Sequence, residues 1–124
     1  MGSSLLDQMG QMHIVTGLIT ATDATDAALT SNDGSATLTR VAAGEYTVTF
    51  GDVFLSAPHA VGTAVQALGT ATVSTDSVVI LIESVATNAV TFNCVDVVGG
   101  TDATQGAQSD AGNIEFIVVG QRNN

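Results

Sequence analysis

The sequence predicts an all-β protein: an antiparallel β-sandwich of about six to eight short strands carrying an N-terminal arm. Three observations point there. Ala, Thr, Val and Gly account for 63 of 124 residues, and small and β-branched side chains suit pleated, closely packed sheets. Apolar residues recur every second position in short runs, whereas the Leu, Lys and Glu that favour helices are sparse. Turn signals built on Gly, Asn and Asp separate these runs, and no stretch reads as a crossover helix. At 124 residues the chain is large enough for one core and too small for two comfortable ones.

In residues 3–11, Leu5, Leu6 and Met9 fall on one side of a turn or two of helix, but Gly10 and the short length weaken it. We read residues 1–11 as a flexible or docking arm. Residues 12–21 form the first expected strand, with Ile14, Thr16, Leu18 and Thr20 on one face and His13, Val15, Gly17 and Ile19 on the other. Neither face is purely polar, as expected of a strand covered on both sides by the core or a neighbouring subunit. Residues 22–32 are rich in Ala, Thr and Asp, and Asn32, Asp33 and Gly34 make the clearest turn signal in the chain.

A hairpin follows, with strands over 37–41 and 45–50 joined at Ala43 and Gly44. In its second strand Tyr46, Val48 and Phe50 alternate with Glu45, Thr47 and Thr49, the period-two pattern of a half-buried strand. Phe54 returns the chain to the core, and Pro58, lacking an N–H, belongs at a sheet margin. Residues 60–68 form another strand, ended by Gly69. A second hairpin pairs 78–85 with 89–98 around Thr87 and Asn88, placing Val90, Phe92 and Cys94 on one face. Residues 99–112 lack periodicity and read as a long surface loop. The last strand, 114–119, turns Ile114, Phe116 and Val118 one way and Glu115, Ile117 and Val119 the other, with Gly120 as its stop. The organisation is an arm (1–11), one sandwich domain (12–120) and a polar tail (121–124).

Composition narrows function. Two Lys plus Arg against twelve Asp plus Glu give a formal charge of −10, which disfavours nucleic acid and anionic membrane surfaces as partners. No export signal is expected at residues 1–7, and no run approaches the eighteen or so apolar residues of a membrane span. Only 11% of residues are charged, against about 25% in ordinary soluble domains. Such a surface is either rich in Thr, Ser, Asn and Ala or covered by other subunits.

Enzymatic constellations are thin. His13 and His59 are the only imidazoles, Cys94 the only thiol, and there is no lysine, so the usual nucleophile and metal-ligand spacings are absent. No enzymatic activity and no cofactor are expected. Cys94, alternating with Phe92 and Val90, reads as a buried structural thiol. Asp23, Asp26, Asn32 and Asp33 are hard-cation ligands by type, although their spacing fits no EF-hand and they serve equally as solvated surface groups. A sugar-binding module needs aromatic platforms, and here Trp is absent and Tyr46 is the single tyrosine. Tyr46 shares a face with Val48 and Phe50, which favours core packing.

What remains is a structural or interaction protein. Strands of Thr, Val and Ala form broad contacts at low side-chain entropy cost, and closed symmetry covers edge strands. The expected interface residues are Leu5, Leu6, Met9 and Met12 of the arm, as a hook onto a neighbour, and His59, as a group facing an intersubunit groove. A terminus without a fixed partner is the competing reading of the arm.

The segments Gly44-Glu45-Tyr46-Thr47-Val48-Thr49-Phe50, Phe54-Leu55-Ser56-Ala57-Pro58 with Val61, and Phe116-Ile117-Val118-Val119-Gly120 resemble a pattern in small structural proteins and fibre domains of tailed bacteriophages. More loosely, they are similar to the H-type lectin sandwich. The phage resemblance implies an oligomeric virion component on the capsid exterior: a decoration or cement protein bound to the major capsid protein, with a head-fibre or tail-fibre adhesin as the alternative. The lectin resemblance implies a six-stranded sandwich assembling as trimers, while the missing tryptophans depart from its glycan-binding pattern.

Overall fold

A computed structural model describes residues 11–20, 27–42, 44–65, 78–96 and 113–122. The described strands are β1 (Met12–Thr20), β2 (Ala28–Ser31), β3 (Thr37–Ala42), β4 (Glu45–Thr49), β5 (His59–Val65), β6 (Val78–Val85), β7 (Ala89–Asp96) and β8 (Asn113–Gln121). They form two four-stranded sheets, ordered β2-β1-β8-β5 (sheet A) and β3-β4-β7-β6 (sheet B). Every pairing is antiparallel. No helix occurs among the described residues, and the protein is an all-β sandwich.

Period-two patterning explains the layers. Val15 and Ile19 of β1 and Ile114, Phe116 and Val118 of β8 point inward from sheet A. Tyr46 and Val48 of β4 and Val90, Phe92 and Cys94 of β7 meet them from sheet B, and all ten are buried. The rings of Phe92 and Phe116 have centroids 5.3 Å apart and join the sheets at the centre, a separation typical of favourable aromatic pairs. Phe50 and Phe54, edge to face with centroids 5.2 Å apart, close one end. Tyr46, Cys94 and the four phenylalanines thus lie in the core, as their strand patterns predict.

Both expected hairpins form. Gly44, at φ 75°, turns β3 into β4, and β6 pairs with β7 from Val78↔Asp96 to Val85↔Val90 with a bulge between Ile82 and Ser84. One strand, β2, lacks a sequence signal. Its four residues pair with β1 from Gly17↔Ser31 to Thr20↔Ala28, so non-local pairing rather than periodicity makes it a strand. Gly17 permits the core beside this pairing: a Cβ there would lie 2.3 Å from Phe116 Cζ, far inside van der Waals contact.

The C-terminal end corrects one expectation. Gly120 does not stop the last strand: β8 continues to Gln121, paired with Met12, and Arg122 forms a bridge with Phe54. A glycine is required within the strand because a Cβ at 120 would sit 2.7 Å from Phe54 Cδ1. Gln121 and Arg122, read from the sequence as polar tail, therefore pair with the rest of the domain. Pro58 is buried at the start of β5, the edge strand of sheet A. Residues 1–10, the expected loop at 99–112 and the continuations at 66–69 and 97–98 lie outside the described residues.

Candidate functional site

Sheet A carries an apolar outer surface, and the outer face of sheet B exposes Val79 and Leu81 of β6 as well. The outward positions of sheet A run in rows across the sheet: Ile14, Val119 and His59; Thr16, Ile117 and Val61; Leu18, Glu115 and Thr63. Thr30 extends the last row beside Leu18. Met12, Ile14, Val61 and Ile117 are 48%, 49%, 64% and 51% exposed. Together they place apolar side chains side by side on a face where isolated exposure would be unremarkable. A groove of about 480 Å³ crosses the same face, lined by Leu18, Thr30, Val61, Thr63, Glu115 and Ile117 among others. Glu115 is the one carboxylate among these rows.

The expected interface residues divide. Met12 and His59 begin β1 and β5 respectively, and alternation turns both toward the outer face of sheet A. Leu5, Leu6 and Met9 lie outside the described residues. The aliphatic centre of the face, Ile14, Val61 and Ile117, was not singled out from sequence as interface. Its signal was present nonetheless, because the strands at 12–20 and 114–119 each carry apolar residues on both faces.

His13 faces the other way. Its side chain is 13% exposed, with Nε2 4.0 Å from Asp52 Oδ2 and Nδ1 3.4 Å from an Arg122 guanidinium nitrogen, and its ring packs 5.3 Å from Phe54. Nε2 is closed off from solvent and makes no hydrogen bond. The arrangement links the start of β1 to the 51–55 segment and the end of β8. The two histidines stand on opposite faces of sheet A, so no single site includes both.

The oxygen-rich turn is occupied by backbone. Asp33 Oδ1 accepts Ser35 N–H at 3.0 Å and Oδ2 accepts Gly51 N–H at 2.8 Å. Asn32 accepts Thr16 N–H through Oδ1 and donates through Nδ2 to Ile14 C=O, both at 2.8 Å, behaving as one more strand residue beside β1. Asp23 and Asp26 lie outside the described residues. Among the described residues no three His, Cys, Asp or Glu side chains are grouped to hold a metal ion.

The outer face of sheet B is a different surface. Thr37 and Thr39 of β3, Thr47 and Thr49 of β4 and Thr91 of β7 lie in adjacent register, with the Thr47 and Thr91 hydroxyls 2.8 Å apart. Asn93 Nδ2 donates to Glu83 Oε2 at 2.9 Å. Partial burial, then a hydrogen bond and like-charge repulsion from Glu83, raise the Glu45 carboxyl above its ordinary value.

Fold and surface together define a β-sandwich whose sheet A outer face is apolar and whose sheet B outer face sets the threonines of β3, β4 and β7 beside exposed Val79 and Leu81 of β6. Comparison with family models, curated proteins and solved structures gives no match.

Proposed function

We propose that this chain is a structural protein rather than an enzyme: a decoration or cement protein of a bacteriophage head. In this reading it binds the major capsid protein on the exterior of the shell and associates with copies of itself as a trimer. The observation that carries the docking part is the outer face of sheet A, where Met12, Ile14, Val61 and Ile117 are about half or more exposed in a chain of net charge −10. A strongly acidic protein that keeps one sheet face nearly free of charge has a surface suited to lie against another protein. The virion assignment rests on the sequence resemblance. Several weak contacts related by symmetry must break together before a shell opens, which is how a small subunit strengthens it.

The adhesin alternative would use the groove beside Thr30, Thr63 and Glu115. It has less support, since Tyr46 and all four phenylalanines are buried, leaving no aromatic platform at the groove.

Co-sedimentation with shells of the phage that encodes the chain tests the proposal. Val61→Asp or Ile117→Asp should weaken binding by about tenfold or more, because each buries a charge in an apolar contact. Thr39→Asp, on the outer face of sheet B, should leave it within about twofold. Equal binding by all three variants, or no binding by the parent, would refute the proposal.

A further inference from the structure

We propose that His13 is a two-position clasp whose partner depends on pH: the neutral ring is held by Arg122 at the end of β8, and the protonated ring by Asp52 of the 51–55 segment. The inference goes beyond the docking reading and does not depend on it.

Geometry sets the neutral state. His13 pairs with Gly120 across the sheet, and its ring packs on Phe54 where that phenylalanine closes one end of the core. Arg122 carries donors only, so the imidazole Nδ1 that stands 3.4 Å from its guanidinium can meet it only as an acceptor. The ring's proton is thereby assigned to Nε2. That nitrogen is closed off from solvent, has no hydrogen-bond partner and faces Asp52 Oδ2 at 4.0 Å, beyond hydrogen-bond reach. A buried N–H without an acceptor weighs against the neutral state.

Adding a proton reverses both contacts. With Nδ1 also a donor, the ring and the guanidinium turn hydrogens and positive charge toward each other, and the Arg122 bond is lost. Nε2–H becomes half of a charge-assisted pair, and reaching the usual length of such a bond asks Asp52 Oδ2 to move by about 1 Å. Both partners have room to move, since the Asp52 side chain is 70% exposed and Arg122 is exposed. The backbone stays in place, because the bonds from Phe54 N–H to Thr87 C=O, from Leu55 N–H to Gln121 C=O and from Arg122 N–H to Gln11 C=O involve no side chain.

The surroundings leave these two groups in control. Phe54, Pro58 and Gly120 meet beside the ring and carry no charge. The nearby carboxylate of Asp33 is already engaged by the Ser35 and Gly51 N–H groups. Among the described residues, Asp52 and Arg122 are therefore the charged groups that face His13. Imidazole is the side chain whose ordinary charge change falls between pH 5 and 8, so Asp52 contributes to stability at the acid end of that window and Arg122 at the alkaline end. These opposite dependences offset each other in the parent, and single substitutions separate them.

Urea unfolding of the full chain at pH 5 and pH 8, followed by circular dichroism, tests this. Asp52→Asn should lower the folding equilibrium constant about threefold at pH 5 and less than about 1.5-fold at pH 8, the scale of a largely exposed ion pair. Arg122→Gln should do the reverse, costing about threefold at pH 8 and nothing at pH 5. Both differences should vanish in a His13→Phe background, which keeps a ring against Phe54 and removes the two nitrogens; if that background fails to fold, His13→Gln takes its place. Equal costs at the two pH values, or pH-dependent costs that persist without His13, would overturn the inference. All of these substitutions leave the outer face of sheet A unchanged, so their failure leaves the docking reading standing, whereas loss of parent shell binding removes that reading and not this one.

Discussion

Asp33 shows how one side chain secures the connection between sheets. Its two carboxylate oxygens accept N–H groups from Ser35, just before β3, and from Gly51, just after β4, while the adjacent Asn32 bonds both ways to β1. The link from sheet A to sheet B is therefore fixed by these side chains together with the backbone bonds from Asn32 N–H to Thr16 C=O and from Ala36 N–H to Asp33 C=O. Asp33→Ala should cost about 2 kcal/mol, the scale of hydrogen bonds to a charged acceptor at a partly exposed site, and Asp33→Asn should recover part of it through one remaining acceptor. Urea unfolding monitored by circular dichroism measures both. Gly17 offers a second test at this scale. A methyl group there would meet Phe116 Cζ at 2.3 Å, so Gly17→Ala should destabilise by about 1–3 kcal/mol through overpacking. Phe116→Leu should make the same substitution much cheaper. A double-mutant cycle with no coupling would show that the glycine is needed for its backbone and not for the ring.

Between elements, the outer face of sheet B holds an electrostatic strain. Glu45 of β4 lies across β7 from the β6 carboxylate Glu83, and its carboxyl sits above the ordinary value of 4.5. A group with a raised value binds its proton more tightly folded than unfolded. It therefore favours folding as pH falls through the window between the raised value and 4.5, and weighs against folding above that window. Glu45→Gln should stabilise the protein near neutrality, with the gain shrinking to a constant below pH 4.5; a gain independent of pH would show that neither desolvation nor Glu83 raises this carboxyl. The same elements show what can be read from a sequence. Alternation located β4, β7 and β8 because each buries one apolar row, with Val90, Phe92 and Cys94 as the clearest case, whereas a continuous apolar run located β6, whose Ile80 and Ile82 pack on the core while Val79 and Leu81 stay exposed. β2 was illegible because its four residues gain strand structure from pairing with β1 and from the Ser31 and Asn32 bonds to Thr16, contacts that no local pattern within four residues records. Gly120 misled for a related reason, since the cause of that glycine is Phe54 on another segment. The apolar face was half legible: two-faced apolar patterns in β1 and β8 announced a covered surface, but only the register that sets Ile117 beside Val61 makes it one patch.

For the whole molecule, charge and apolar surface act in opposite directions. Each copy carries −10, so two copies repel over a distance set by the Debye length, about 30 Å at 0.01 M salt and about 10 Å at 0.1 M. Contact through the outer face of sheet A adds attraction that salt does not screen, because Ile14, Val61, Ile117 and their neighbours include one carboxylate, Glu115, and no lysine or arginine. Self-association should therefore strengthen as salt rises, by about tenfold in the association constant between 0.01 and 0.3 M if screening removes on the order of 1.4 kcal/mol of repulsion. This slope is opposite in sign to that of a protein held by basic residues on phosphate, where salt weakens binding steeply. Sedimentation velocity across a salt series at fixed protein concentration reads it directly. Glu115→Gln should shift the curve toward lower salt, since it removes the carboxylate bordering the groove. An association constant that falls with salt would mean that ion pairs involving Arg40 or Arg122 hold the subunits together, and that the apolar face of sheet A is not where they meet.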